Sequence, residues 1–169
     1  QAARFVAAAH DCMAFENMSF SPERRNWPDL RFSTPQESQA WSCQWCHGAT
    51  GIGMARLGTL RAGIEPTFIR QDIANALSCA ESSWPSSGDT LCCGNLGTIE
   101  LLASAGQLES SRAKLASLVA VARSTGDYAL GTGGKRFNLG LFRGLAGVGY
   151  SLLRQVNRSL PNVLLWDYV

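Results

Sequence analysis

Runs of about 18 apolar residues, the minimum for crossing a bilayer, are absent from this chain, so nothing in it reads as a membrane span. An excess of one charge sign is absent too: 15 Lys and Arg stand against 13 Asp and Glu, a net charge of +2. That balance leaves no electrostatic footprint for nucleic acid or an anionic membrane surface. Charge of either sign is scarce, at 17% of residues against the roughly 25% usual in soluble domains. A small chain has much surface to cover, so this shortage predicts that part of it packs against a further body. Strand signals are almost missing. The start lacks a basic segment and a cleavage site; Gln1 and the Ala-rich stretch behind it read as the middle of a helix in a longer protein.

What is present suits one packed domain. The 169 residues are 46% hydrophobic, enough for a core and too apolar for intrinsic disorder. Six cysteines could suggest a secreted disulfide framework. Their placement argues against it: Cys43 and Cys46 lie close together, Cys92 and Cys93 are adjacent, and Cys12 and Cys79 stand alone. Adjacent cysteines rarely bridge, so a reduced, cytoplasmic setting with a thiolate metal site is expected.

Helical periodicity predicts helices over Gln1–Asn17, with Phe5, Ala8, Ala9 and Cys12 on one face, and over Gly51–Ala62, Thr67–Ser82, Leu96–Ser104, Leu108–Ser124 and Leu145–Val156. Ser19–Gln44, rich in Pro, Ser, Asn and Asp, reads as a long functional or interfacial loop. Three segments share the form Gly-x-x-Gly at a helix start: Gly48–Gly51, Gly94–Gly97 and Gly144–Gly147, with first glycines 46 and 50 residues apart. One further helix falls between copies, so the repeat is a helix pair, the unit of solenoids and of closed α/α toroids. Glycine there permits close backbone approach and positive φ. The longer amphipathic helices, Leu108–Ser124 among them, are expected to form an outer layer.

Aligned on their glycines, the three corners carry Cys46-His47, Cys92-Cys93 and Phe142-Arg143. Zinc favours thiolate and imidazole in tetrahedral array, and helix N-termini favour thiolate over thiol. Cys46, Cys92 and Cys93 supply three thiolates and leave a fourth position open, the catalytic arrangement. A closed site using Cys43 as fourth ligand is the alternative that spacing allows, since Cys43-Gln-Trp-Cys46 has the C-x-x-C form.

The segments Trp45–Gly53, Leu91–Gly97 and Gly144–Tyr150, followed by Leu160–Leu165, resemble the lanthionine synthetase C-like cyclases. The Asn26-Trp27-Pro28-Asp29-Leu30-Arg31 loop resembles the class II enzymes, bifunctional synthetases whose C-terminal domain is the cyclase. The resemblance implies an all-α fold, an α/α toroid, of which residues 1–169 are the C-terminal part. The N-terminal dehydratase and earlier cyclase repeats would belong to the remainder of the synthetase, a partner of this region. It implies one catalytic zinc ion and a dehydrated precursor peptide as substrate. The reaction implied is addition of peptide Cys thiols to dehydroalanine or dehydrobutyrine. Carried over by position, Cys46 and Cys92 match zinc ligands, and Cys93 stands where most of the family has histidine, as in a three-cysteine subgroup. A third thiolate adds negative charge and leaves a bound substrate sulfur more nucleophilic.

His47 is the candidate catalytic residue, as a proton relay or a support for the enolate; a hydrogen-bonding role behind the metal is the alternative. His10, outside the repeat register, is expected to be an ordinary helix histidine. Arg143 is expected in a salt bridge or against substrate, and Trp41, Trp45 and Tyr150 in packing. Two other functions stay open: a glutathione-binding relative of the same fold, and a zinc-stapled helical module without catalysis.

Overall fold

The structure, a computed structural model, describes residues 2–32, 38–131 and 138–166. Six α-helices account for most of them: α1 (Ala2–Asn17), α2 (Ala49–Arg61), α3 (Ile69–Ser82), α4 (Asn95–Ser104), α5 (Leu108–Thr125) and α6 (Leu145–Val156). No strand occurs among the described residues; one isolated bridge joins Ser21 to Asn26. The fold is all-α, as expected, and every predicted helix is present, with ends shifted by at most two residues. Gln1 and residues 33–37 of the predicted loop lie outside the described residues. The described part of that loop holds one short 3-10 turn, Ser38–Trp41.

Helices α2, α4 and α6 each begin at a glycine corner and form the inner layer, with α3 and α5 outside. Helix α2 packs on α3 and α4 on α5, while α4 also touches α2, α3 and α6. Burial is greatest on the central helix α4. Helix α4 buries Asn95 through Leu102 without a gap, whereas the outer α5 buries only Ser111, Leu118 and Ala122. The core joins Met54 of α2, Ala80 of α3, Leu96, Ile99 and Leu101 of α4, Leu118 of α5 and Val148 of α6. Each large apolar side chain so buried contributes about 1.5–3 kcal/mol. Two buried arginines carry ion pairs between helices: Arg56 of α2 meets Asp72 of α3 at 2.9 Å and Glu16 of α1 at 2.7 Å, and Arg154 of α6 meets Glu100 of α4 at 3.2 Å.

The glycine repeat has a steric cause. A Cβ on Gly48, Gly94 or Gly144 would lie 1.8, 2.4 or 2.3 Å from the carbonyl oxygen of Ser42, Gly88 or Asn138, in each case six residues upstream. The second glycines repeat the relation: Gly51, Gly97 and Gly147 sit against the carbonyls of Trp45, Leu91 and Leu141 at 1.9, 2.7 and 1.9 Å. Only glycine fits. The expected positive φ holds at Gly48, at +95°, but Gly94 and Gly144 are extended, at −144° and −141°. Close approach, rather than left-handed backbone, is what the three corners share.

Along α1 only Met13 is buried; of the four residues that share a face, Phe5, Ala8 and Cys12 are exposed and Ala9 is half-buried.

Candidate metal centre

The corners are stitched edge to edge by main-chain hydrogen bonds. Trp45 N–H donates to the Cys92 carbonyl at 3.1 Å, and Cys92 N–H donates to the Phe142 carbonyl at 2.9 Å. Trp45 and Phe142 then stack, with ring centroids 5.4 Å apart and planes 11° from parallel. The Trp45 indole N–H reaches the Leu164 carbonyl at 3.1 Å, which ties the first corner to the C-terminal segment. These contacts fix where the residues just before each glycine stand.

Three thiols converge as a result. Cys93 Sγ lies 3.3 Å from Cys46 Sγ and 3.3 Å from Cys92 Sγ, and all three sulfurs fall within 4.8 Å of one another. A tetrahedral zinc with bonds of about 2.3 Å needs its sulfurs about 3.8 Å apart, so this donor set fits a zinc-sized cation in both chemistry and spacing. Burial and the crowded neighbouring sulfurs push the Cys46 and Cys92 thiols above the ordinary range. A dication reverses that penalty, because coordination deprotonates a thiol outright.

Cys43 is elsewhere. Its sulfur lies 3.4 Å from Thr50 Oγ1 and within hydrogen-bonding reach of Cys79. That hydrogen bond draws the Cys43 thiol down and pushes Cys79 up. Among the described residues the only cluster suited to a metal is Cys46, Cys92 and Cys93.

His47 follows Cys46, and both of its ring nitrogens have neighbours on the loop. Its Nε2 is 2.7 Å from Arg31 Nη2, and its Nδ1 is 3.7 Å from Asp29 Oδ2. Asp29 accepts from Arg31 Nε at 2.9 and 3.1 Å and from Arg31 Nη2 at 2.6 Å. Those bonds hold its carboxyl at about 2, below the ordinary value of 3.8. Asp29, Cys46 and His47 line a cavity of about 200 Å³ together with Glu16, Trp27 and Pro28.

The loop is bolted in place by Asn26. Its Oδ1 accepts from the N–H of Ala49, in the first turn of α2, at 2.8 Å, satisfying one of the donors that a helix start leaves open. Its Nδ2 donates to the carbonyls of Trp41 and Ser42 at 3.0 and 3.3 Å. Trp27 is buried and donates to Asn17 Oδ1 at 3.1 Å, and Asp29 N–H donates to the Ala40 carbonyl at 2.7 Å. Asp29 and Arg31 therefore arrive at the site on a rigid segment. Sequence reasoning noticed this loop and missed these two residues; the acid–x–Arg pair at its end was the available signal.

The remaining residues singled out from the sequence fall outside the cluster. His10, half-buried on α1, does not line the cavity. Arg143 is exposed at the third corner, where its carbonyl accepts from Asn138 Nδ2 at 3.0 Å. Tyr150 donates to the Pro161 carbonyl at 2.8 Å, and Trp41 lies beneath the Arg24 guanidinium; both are packing residues, as expected.

Comparison with known proteins gives two matches. The family model described as Lanthionine synthetase C-like protein matches residues 2–166. The lacticin 481/lactococcin biosynthesis protein LcnDR2 of Lactococcus lactis subsp. lactis is 24% identical over 183 residues, covering 98% of this chain. The chain spans only 19% of that relative's length. No solved structure matches it. No helix among the described residues is long and apolar enough to cross a membrane.

Proposed function

Since the chain belongs to the lanthionine synthetase C-like family, we propose that it is the zinc-holding, C-terminal part of a lanthipeptide cyclase. In this reading residues 1–169 supply the last helix pairs of an α/α toroid. Earlier repeats close the ring, and a dehydratase region supplies the substrate. The substrate is a precursor peptide already carrying dehydroalanine or dehydrobutyrine. Six free thiols suit a reducing, cytoplasmic setting.

The observation that carries the reading is the convergence of three sulfurs from two corners of one repeat. Cys46, Cys92 and Cys93 would hold the zinc. They are one donor short of the tetrahedral complement, as catalytic zinc sites are. When bound, zinc supplies Lewis acidity that brings an added thiol's pKa toward neutrality. The overall reaction adds a peptide S–H across a carbon–carbon double bond. Sulfur joins the β-carbon, the proton ends on the α-carbon, and lanthionine or methyllanthionine results. We assign His47, which follows Cys46 and lines the cavity, the role of holding a proton between those two atoms. The three thiolates overbalance a dication by one charge, which keeps an incoming sulfur electron-rich.

The test is cyclisation of a dehydrated precursor by the full-length synthetase, read as protection of peptide thiols from alkylation. Substituting any of the three cysteines by Ala is expected to slow ring formation at least about a hundredfold. Unchanged cyclisation in all three variants would overturn the reading. Binding of glutathione with no thioether formed would point instead to a non-catalytic relative of the fold.

A further inference from the structure

We propose that Asp29 and Arg31 are positioning residues that decide which nitrogen of His47 carries the proton, with Arg31 capping Nε2 until substrate displaces it. The inference rests on the cyclase reading for its role, but its geometry stands apart from it. A guanidinium has donors and no acceptor, so His47 Nε2, 2.7 Å from Arg31 Nη2, must present its lone pair. The ring proton of a neutral imidazole then sits on Nδ1, which faces Asp29 Oδ2 at 3.7 Å. The Arg31 contact at Nε2 carries the assignment, and Nδ1 stands near the Asp29 carboxylate but beyond direct hydrogen-bonding distance.

The two partners differ in mobility. The Asp29 side chain is 4% exposed and the Arg31 side chain 69%. Asp29 is fixed by its loop, through the Ala40 carbonyl and the Asn26 anchor. Arg31 is a long, solvated arm pinned at one end by Asp29. If Arg31 swings out, Asp29 stays beside Nδ1 and Nε2 loses its cap, next to the cavity that His47 and Cys46 both line. His47 therefore meets substrate with an acceptor at Nε2, and Arg31 is free to donate to the carbonyl oxygen of the dehydro residue.

The chain has two histidines, which makes the tautomer directly readable. The experiment is long-range ¹H–¹⁵N NMR on the zinc-loaded, ¹⁵N-histidine-labelled protein, with His10→Gln to assign the pair. The expected spectrum for His47 has a pyrrole-like Nδ1 and a pyridine-like Nε2. Arg31→Gln, a change at an exposed side chain, and Asp29→Asn are both expected to shift the balance toward Nε2–H, and Arg31→Lys to restore the wild-type pattern in part. In the full-length synthetase, Asp29→Asn is expected to lower kcat about tenfold to a hundredfold with KM within about twofold. A His47 already protonated on Nε2 in the wild type, or a pattern unmoved by Arg31→Gln, overturns the inference even if Asp29→Asn fails to fold. Failure of the cyclase reading shows separately, as a missing zinc site or missing thioether product with the tautomer pattern intact.

Discussion

Trp45 donates its backbone N–H to the carbonyl of Cys92 across 3.1 Å, and that bond joins the corner bearing Cys46 to the corner bearing Cys92 and Cys93. The three sulfurs meet because two copies of one repeat are paired through their main chains, and the thiol cluster is a consequence of the repeat.

The first prediction concerns ligand identity. Cys46→Ala, Cys92→Ala and Cys93→Ala are each expected to lower zinc affinity at least about a hundredfold, while Cys12→Ala leaves it unchanged. Zinc content after dialysis against a competing chelator checks this.

A second follows from the crowded thiols. Cys46 and Cys92 are held above the ordinary thiol range, so they are protonated at neutral pH when no cation is present. Metal binding must then expel protons. Zinc affinity is expected to rise with pH from about 6 to 8, with protons released in calorimetry run in buffers of different ionisation enthalpy. A flat affinity would contradict the thiol assignment.

Two glycines of α6 give a paired prediction about stability. A Cβ at Gly147 would lie 1.9 Å from the Leu141 carbonyl oxygen, whereas one at Gly149 would meet nothing within 4 Å. Gly147→Ala is expected to destabilise by more than about 2 kcal/mol. Gly149→Ala is expected to stabilise by about 0.5–1 kcal/mol. Denaturant unfolding of the two variants distinguishes them by sign.

Acid sensitivity follows from Asp29. Its carboxyl is lowered from 3.8 to about 2 by the Arg31 hydrogen bonds, so the folded state binds a proton less readily than the unfolded chain. The stabilisation is therefore complete above about pH 4 and is lost as pH falls toward 2. Asp29→Asn is expected to flatten stability across that window, as followed by unfolding at stepped pH.

Much of the molecule was legible because the repeat writes itself in glycine. The spacing of Gly48, Gly94 and Gly144 located three inner helices, and the residues just before them located the thiol cluster. The backbone reason was only partly right, since Gly94 and Gly144 are needed for close approach to Gly88 and Asn138 rather than for positive φ. The position of Cys43 could not be read, because C-x-x-C spacing does not say which way each side chain turns. Its partner, Cys79, lies on α3, 36 residues further along. Asp29 and Arg31 escaped notice for a similar reason: they reach His47 across a loop of irregular backbone, which has no periodicity to extrapolate. The exposed face of α1 marks a different limit. Periodicity announces an apolar face, and it does not name what covers it.

The most direct test of the central claim is zinc X-ray absorption on the purified protein, wild type and Cys43→Ala side by side. The account predicts one zinc bound by three sulfurs and a lighter fourth atom, at sulfur distances of about 2.3 Å, with no change on removing Cys43. Four sulfurs, one of them lost in Cys43→Ala, would mean a closed structural site and would contradict the cyclase assignment.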